Sequence, residues 1–236
     1  MDEAEFDRFA DEYRQMHAQN IRASGEAPEF FAEYKIADVA KLLPAAVAAS
    51  GPAILDFGAG VGTSVPYFKK YFPNSKLTCL DVSNKSLDVG RTRFAGQADF
   101  VHFDGTRIPF PDAQFDLVFL ACVLHHIPHS EHPGILAEAR RVLRPHGTLV
   151  VFEHNPYNPL TVQAVNTCEF DENAVLIRPG QLKRDALGAG FARANIQFRI
   201  FFPHALRGLR GLEPWMKWLP FGAQYYLHGR KGGEAA

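Results

Sequence analysis

The sequence predicts an α/β fold, a doubly wound sheet of mostly parallel strands, and three observations carry that expectation. From residue 53 onward, strand-like apolar runs alternate with helix-like ones, the pattern of strand–helix–strand units. The first run, Ile54-Leu55-Asp56-Phe57, passes into Gly58-Ala59-Gly60-Val61-Gly62-Thr63, which reads as a strand end, a tight turn and the start of a helix. The run Phe115–Cys122 is almost wholly apolar, as a central strand buried on both faces must be. Ligands of such sheets bind outside the carboxyl ends of the strands, so the glycine turn marks the expected site.

The elements follow in order. Phe6, Phe9, Ala10, Tyr13 and Met16 are spaced for a helix over 2–23, and Ser24–Pro28 breaks it. A second helical pattern runs from Phe30 to Leu43. Strands are expected at 53–57, 76–81, 99–103, 115–122 and 148–153, with helices near 62–72, 84–95 and 130–143. Ser83 or Asn84 suits an N-cap, and Arg144-Pro145-His146-Gly147 is a turn before the fifth strand. Asn155–Glu172 is polar and mixed. Arg178-Pro179-Gly180 then opens a helix near 180–189. Strands at 193–202 and 223–230 lack a full crossover helix between them, which suggests an antiparallel pair at one edge. The expected organisation is a helical cap or lid over 1–50 and a sheet domain over 51–236, with insertions near 155–178 and 203–222.

Composition narrows the function classes. Of 236 residues, 47% are hydrophobic and 22% charged, and the formal net charge is −1, so nothing drives the chain toward nucleic acid. There is also no basic stripe with interleaved aromatics. Three scattered cysteines (Cys79, Cys122, Cys168) argue for a reducing compartment rather than a disulfide framework. Met1–Tyr13 is acidic and amphipathic, unlike a signal peptide, and no window reaches the ~18 apolar residues of a spanning helix. A cytoplasmic protein, monomer or homodimer, is expected.

The chemistry of the turn separates candidate cofactors. A dinucleotide turn wants a third glycine where Thr63 stands, and its pyrophosphate disfavours an acid such as Asp56 beside it. Asp56 suits a ligand with an ammonium group instead. Asp81, at the end of the second strand, is placed to accept both hydroxyls of a ribose, and Asp104 of Phe103-Asp104-Gly105-Thr106 could accept the amino group of an adenine. An NAD(P)-dependent oxidoreductase and a non-catalytic adenosyl-ligand-binding subunit remain as alternatives.

Taken together, Asp56-x-Gly58-x-Gly60-x-Gly62, Leu80-Asp81-Val82-Ser83, Phe103-Asp104-Gly105 with Ile108-Pro109-Phe110, and Phe115-Asp116-Leu117-Val118 resemble the class I S-adenosylmethionine-dependent methyltransferases of small-molecule type. Val123-Leu124-His125-His126-Ile127 and Leu143–Leu149 are similar to the later motifs of that family. The resemblance is dense over about 50–153 and implies a Rossmann-like seven-stranded sheet in the order 3-2-1-4-5-7-6. It also implies S-adenosyl-L-methionine as cofactor, S-adenosyl-L-homocysteine as product, and a binding set of Asp56, Phe57, Gly58, Ala59, Gly60, Gly62, Thr63, Asp81, Val82, Ser83, Asp104, Gly105, Thr106, Ala121, Cys122 and Tyr13.

The acceptor side is less specific. His125 and His126 follow the fourth strand, and Glu153 and His154 end the fifth, so these four are the candidates for a general base or for substrate contact. Many methyl transfers need mainly alignment. No metal is expected, because adjacent histidines should splay apart and Pro128 and Pro133 interrupt the run that continues to His129 and His132. Tyr13, Phe30, Phe31, Tyr34 and Lys35 could close over the cofactor as a lid. The segment 203–222 carries Leu206, Leu209, Leu212, Trp215, Met216, Trp218, Leu219 and Phe221 among Arg207, Arg210 and Lys217. It could cover the sheet or pocket, make a dimer contact, or touch a membrane surface where a lipid-linked acceptor resides. A small or medium acceptor with an oxygen nucleophile is the expectation.

Overall fold

Seven strands form one sheet: β1 (Ala53–Phe57), β2 (Lys76–Asp81), β3 (Asp99–His102), β4 (Phe115–Ala121), β5 (Leu143–His154), β6 (Arg193–Arg199) and β7 (Gln224–Arg230). The computed structural model describes residues 24–168 and 171–233. The order is β3-β2-β1-β4-β5-β7-β6, as expected. β1 pairs parallel with both β2 and β4, so the order reverses between β1 and β4 and opens a crevice at their carboxyl ends. β7 runs antiparallel between β5 and β6, which supplies the anticipated edge pair. The helix expected over 2–23, with Tyr13, lies outside the described residues.

The helices are α1 (Pro28–Leu42), α2 (Ala45–Ala49), α3 (Val65–Tyr71), α4 (Asn84–Arg93), α5 (His132–Val142), α6 (Pro159–Asn166), α7 (Pro179–Gly188) and α8 (Glu213–Met216). Backbone conformation explains most boundary differences. α3 begins at Val65 because Gly60 and Gly62 hold φ of 53° and 78°, outside the helical region. β4 stops before Cys122 and β6 before Ile200, both left-handed at φ of 60° and 62°. β5 starts early, because Leu143 pairs with Phe115 across an irregularity in register. α6 lies in the stretch whose polar, mixed sequence predicts no helix. Its signals were present, since the Asn158 side chain accepts the Thr161 N–H at 3.1 Å and Pro159 fills the first turn.

Strand alternation divides the core into two layers. Leu55, Phe57, Val118, Leu120, Leu149 and Val151 pack on one face with α5 and α7. Ile54, Leu117, Phe119, Val150 and Phe152 pack on the other with Phe31, Tyr34, Ile36 and Val39 of α1. Asp56 shares the face of Ile54, which turns its carboxylate toward the layer that α1 covers. α1 is fastened by buried polar contacts. Tyr34 donates its hydroxyl hydrogen bond to Gln224, and Arg199 pairs with Asp38. Arg199 also reaches Glu213 at 3.2 Å, and Glu213 accepts the Phe201 N–H at 3.0 Å.

That last contact pins the segment 203–222 at its middle. Most of its apolar side chains are exposed, while Met216 and Leu219 are half-buried. Trp215, Trp218 and Phe221 are exposed, as are Leu206, Leu209 and Leu212. Among the described residues no helix is long and apolar enough to cross a membrane.

Candidate active site

A cavity of about 940 Å³ opens above the carboxyl ends of β1 and β4. Its first half is the glycine turn. The Gly58 and Ala59 N–H groups both donate to the Leu80 carbonyl, at 2.7 and 3.1 Å, which folds the chain back over β2. The Gly60 N–H donates to Asp81 Oδ2 at 2.7 Å, and the Ser83 N–H to Asp81 Oδ1 at 2.9 Å. Asp81 therefore orders the turn as well as lining the cavity. A Cβ on Gly60 would meet nothing within 4 Å, so the backbone is open to the space above it.

Asp56 and Lys35 set the charge of this half. Asp56 is buried, and its Oδ2 has no hydrogen-bond partner. Burial, and then the neighbouring Asp81, push its carboxyl up to about 7 against the Ser64 hydrogen bond and the Lys35 ammonium. Lys35 Nζ also stands 3.7 Å from Cys122 Sγ. Burial alone would raise the Cys122 thiol, but Lys35 and then His154 outweigh it and bring it down to about 7.

The second half is built on histidines. His125 Nδ1 lies 2.6 Å from Glu153 Oε2, and Glu153 Oε1 accepts the Leu124 N–H at 2.9 Å. Burial would lower the His125 ring, yet the Glu153 carboxylate, aided by Asp171, raises it to about 10. His126 is lowered to about 4 by burial and by the charge on His125. Asp171 falls to about 2, because His125 and His154 outweigh its own burial. The His125 and His126 rings do not splay apart: their centroids are 4.2 Å apart, and both Nε2 atoms face Asp171. The expected reason against a cation is thereby removed. The histidine that orders the loop is His132, whose Nε2 bonds the carbonyls of Leu124 and Ile127 at 2.8 and 3.0 Å.

Of the residues singled out in the sequence, Asp56, Gly58, Ala59, Gly60, Thr63, Asp81, Ala121, Cys122, His125, His126 and His154 line the cavity together. Others stand apart from it. Phe57 is core, edge-on to Phe103 at 5.1 Å, and Val82 is core as well. Ser83 caps α4 by accepting the Ser86 N–H. Gly62 makes room for Phe94 and Phe100, each about 3 Å from where its Cβ would be. Asp104, Gly105 and Thr106 are not brought to the cavity: Asp104 Oδ1 accepts from the Thr106 N–H and hydroxyl and from the Arg107 N–H, closing its own exposed turn. Glu153, expected beside the acceptor, lies beneath it with both oxygens engaged. Ser64, next to Thr63 in the glycine turn, also lines the site, and Asp171 and Gln224 do so without a sequence signal, because distant segments bring them there. The stretch 155–178 supplies much of the second wall, through Asn158, Thr161, Val165, Cys168 and Asp171, whereas 203–222 supplies only Pro203.

Residues 55–151 match the family model described as a methyltransferase domain. Over those residues the chain matches a methyltransferase domain of the S-adenosylmethionine-dependent kind. Its curated relatives include the ubiquinone/menaquinone biosynthesis C-methyltransferase UbiE of Ectopseudomonas mendocina, 35% identical over 127 residues, which are 51% of this chain and 49% of that protein. The UbiE of Pseudomonas fluorescens is 34% identical over 128 residues, with the same coverage. The chain thus spans about half the length of the curated relatives it matches. Among solved structures, an S-adenosylmethionine-dependent methyltransferase from Thermotoga maritima is similar at TM-score 0.67 and 19% identity, covering 97% of this chain and 99% of that one. An O-methyltransferase family protein from Burkholderia thailandensis is similar at TM-score 0.68 and 17% identity, covering 97% and 63%. At these identities the structures establish the methyltransferase fold.

The methyltransferase site fits its cofactor on one observation above all. The orphaned buried oxygen of Asp56 faces a cavity whose glycine floor is open, and a ligand ammonium would satisfy it.

Proposed function

We propose that the protein transfers a methyl group from S-adenosylmethionine to a small or medium-sized acceptor carrying a phenol-like hydroxyl. Asp56 and the backbone of Gly58–Gly60 would hold the amino-acid end of the cofactor, Asp81 its ribose, and Ala121 and Cys122 the wall beside it. The bound cofactor supplies an electrophilic methyl on a sulfonium. The chain's own residues do the rest: they align the acceptor, exclude water and hold its proton.

The observation that carries the acceptor reading is the histidine wall opposite the glycine turn. His126 and His154 line the cavity where an acceptor hydroxyl would lie, and Glu153 holds His125 behind them. Deprotonating a phenol activates both its oxygen and the adjacent ring carbon. One site chemistry therefore serves O-methylation or C-methylation, the latter being the reaction named for the UbiE relatives. The cap formed by α1 supports a small acceptor, since Phe31, Ala32 and Lys35 close one side of the cavity. We read the described residues up to 50 as that cap and the described residues from 51 onward as the catalytic domain.

Calorimetry with S-adenosylhomocysteine, NAD and NADP, followed by turnover with a panel of phenols, tests the reading. Adenosyl-thioether binding with methylated product detected by mass spectrometry is expected. Tight nicotinamide binding alone would overturn it. Thioether binding without turnover on any acceptor would favour a non-catalytic subunit.

A further inference from the structure

We propose that His125, His126 and Asp171 bind one divalent transition-metal cation on the wall of the cavity. The Nε2 atoms of the two histidines each stand 3.5 Å from Asp171 Oδ1, and the three ligand atoms all lie within 4.8 Å of one another. Two ligands held tetrahedrally at zinc distances of about 2.0–2.1 Å are roughly 3.3 Å apart, so the observed spacing needs little adjustment. The His125 Nε2 is buried and has no hydrogen bond of its own.

The support behind the ligands points the same way. Glu153 holds the His125 Nδ1 at 2.6 Å and is itself held by the Leu124 N–H. This locks the ring with Nε2 turned toward Asp171. A carboxylate behind a ligating histidine is the usual way metal sites orient the ring and raise its basicity. Charge balance is compatible: a divalent cation that displaces the proton shared by His125 with Glu153 and Asp171 leaves these two buried carboxylates neutralised. Two imidazoles and one carboxylate favour zinc, cobalt or nickel over magnesium or calcium. Three protein ligands leave a coordination position open, and all three line the cavity, so that position faces the acceptor space. An acceptor hydroxyl there would lose its proton more readily, with His154 near enough to receive it: its ring is 5.2 Å from that of His125. The binding itself does not rest on the methyl-transfer reading.

The full chain, stripped with a chelator and dialysed, is titrated with zinc, with cobalt(II) and with magnesium. One equivalent of zinc and a cobalt complex with visible ligand-field bands are expected, with weak magnesium binding. Asp171→Asn and His126→Ala should each weaken zinc by more than about 100-fold, beyond what loss of a supporting residue does, while retaining the parent far-ultraviolet circular dichroism. Either variant alone suffices if the other does not fold. No zinc binding by the parent, unchanged binding by a folded variant, or magnesium binding as tight as zinc would overturn the site.

Discussion

Gly58 lies so close to Val123 that a Cβ on the glycine would stand 2.4 Å from the valine Cγ2. The two residues belong to the loops that leave β1 and β4, so this contact sets the width of the crevice between those strands. Gly58 also holds φ at 74°, where side chains are disfavoured. Gly58→Ala should therefore destabilise the protein by about 2–5 kcal/mol, combining left-handed strain with overpacking. Denaturant midpoints at unchanged m-value would show it. Val123→Ala in the same chain should recover part of the loss, because it removes the methyl groups that the new Cβ strikes.

Asp56 predicts a pH dependence. Its folded-state carboxyl is raised to about 7, above the unfolded value. Its contribution to stability is fully present below the ordinary carboxylate range and is lost as the pH climbs to about 7. A ligand ammonium selects the ionised form. Affinity for S-adenosylhomocysteine should rise between about pH 6 and about pH 8, with proton release visible as a buffer-dependent enthalpy. Asp56→Asn should remove that slope and weaken binding by about 10–100-fold, the value of one charge-assisted hydrogen bond.

His126→Ala should lower turnover by about 100-fold or more, the scale of a lost proton-transfer or activating group, with little change in S-adenosylhomocysteine affinity. Steady-state kinetics beside calorimetry separates the two. Equal losses in both would mark His126 as a scaffold residue.

Arg199 sits between two buried carboxylates, Asp38 of α1 and Glu213 of α8. Asp38→Asn should destabilise the fold by about 1–3 kcal/mol, because Glu213 still faces the guanidinium. The double variant Asp38→Asn/Glu213→Gln leaves Arg199 buried without an anion. It should lose more than the sum of the single changes, by about 1 kcal/mol or more, in a thermodynamic cycle from urea melts.

The amino-acid sequence by itself determined the strand–helix alternation, the glycine turn at Gly58–Gly62, the acids Asp56 and Asp81 at successive strand ends, and the pair His125-His126. These are local features. Periodicity, positive-φ glycines and strand ends act over a few residues, so they are readable without knowing what packs against them. Tertiary structure decided what the same residues face. Asp104 spends its carboxylate on its own turn, and Glu153 is buried under His125, 28 positions away along the chain. Asp171 reaches both histidines only because α6 and the loop after it fold over the cavity. Asp38 meets Arg199 across 161 positions. Such contacts depend on how the α1 cap and the 155–178 insertion lie on the sheet, and no local pattern encodes that. The strand ends in the sequence specify the cofactor class, whereas the chemistry opposite them arises from segments that meet only in the folded molecule.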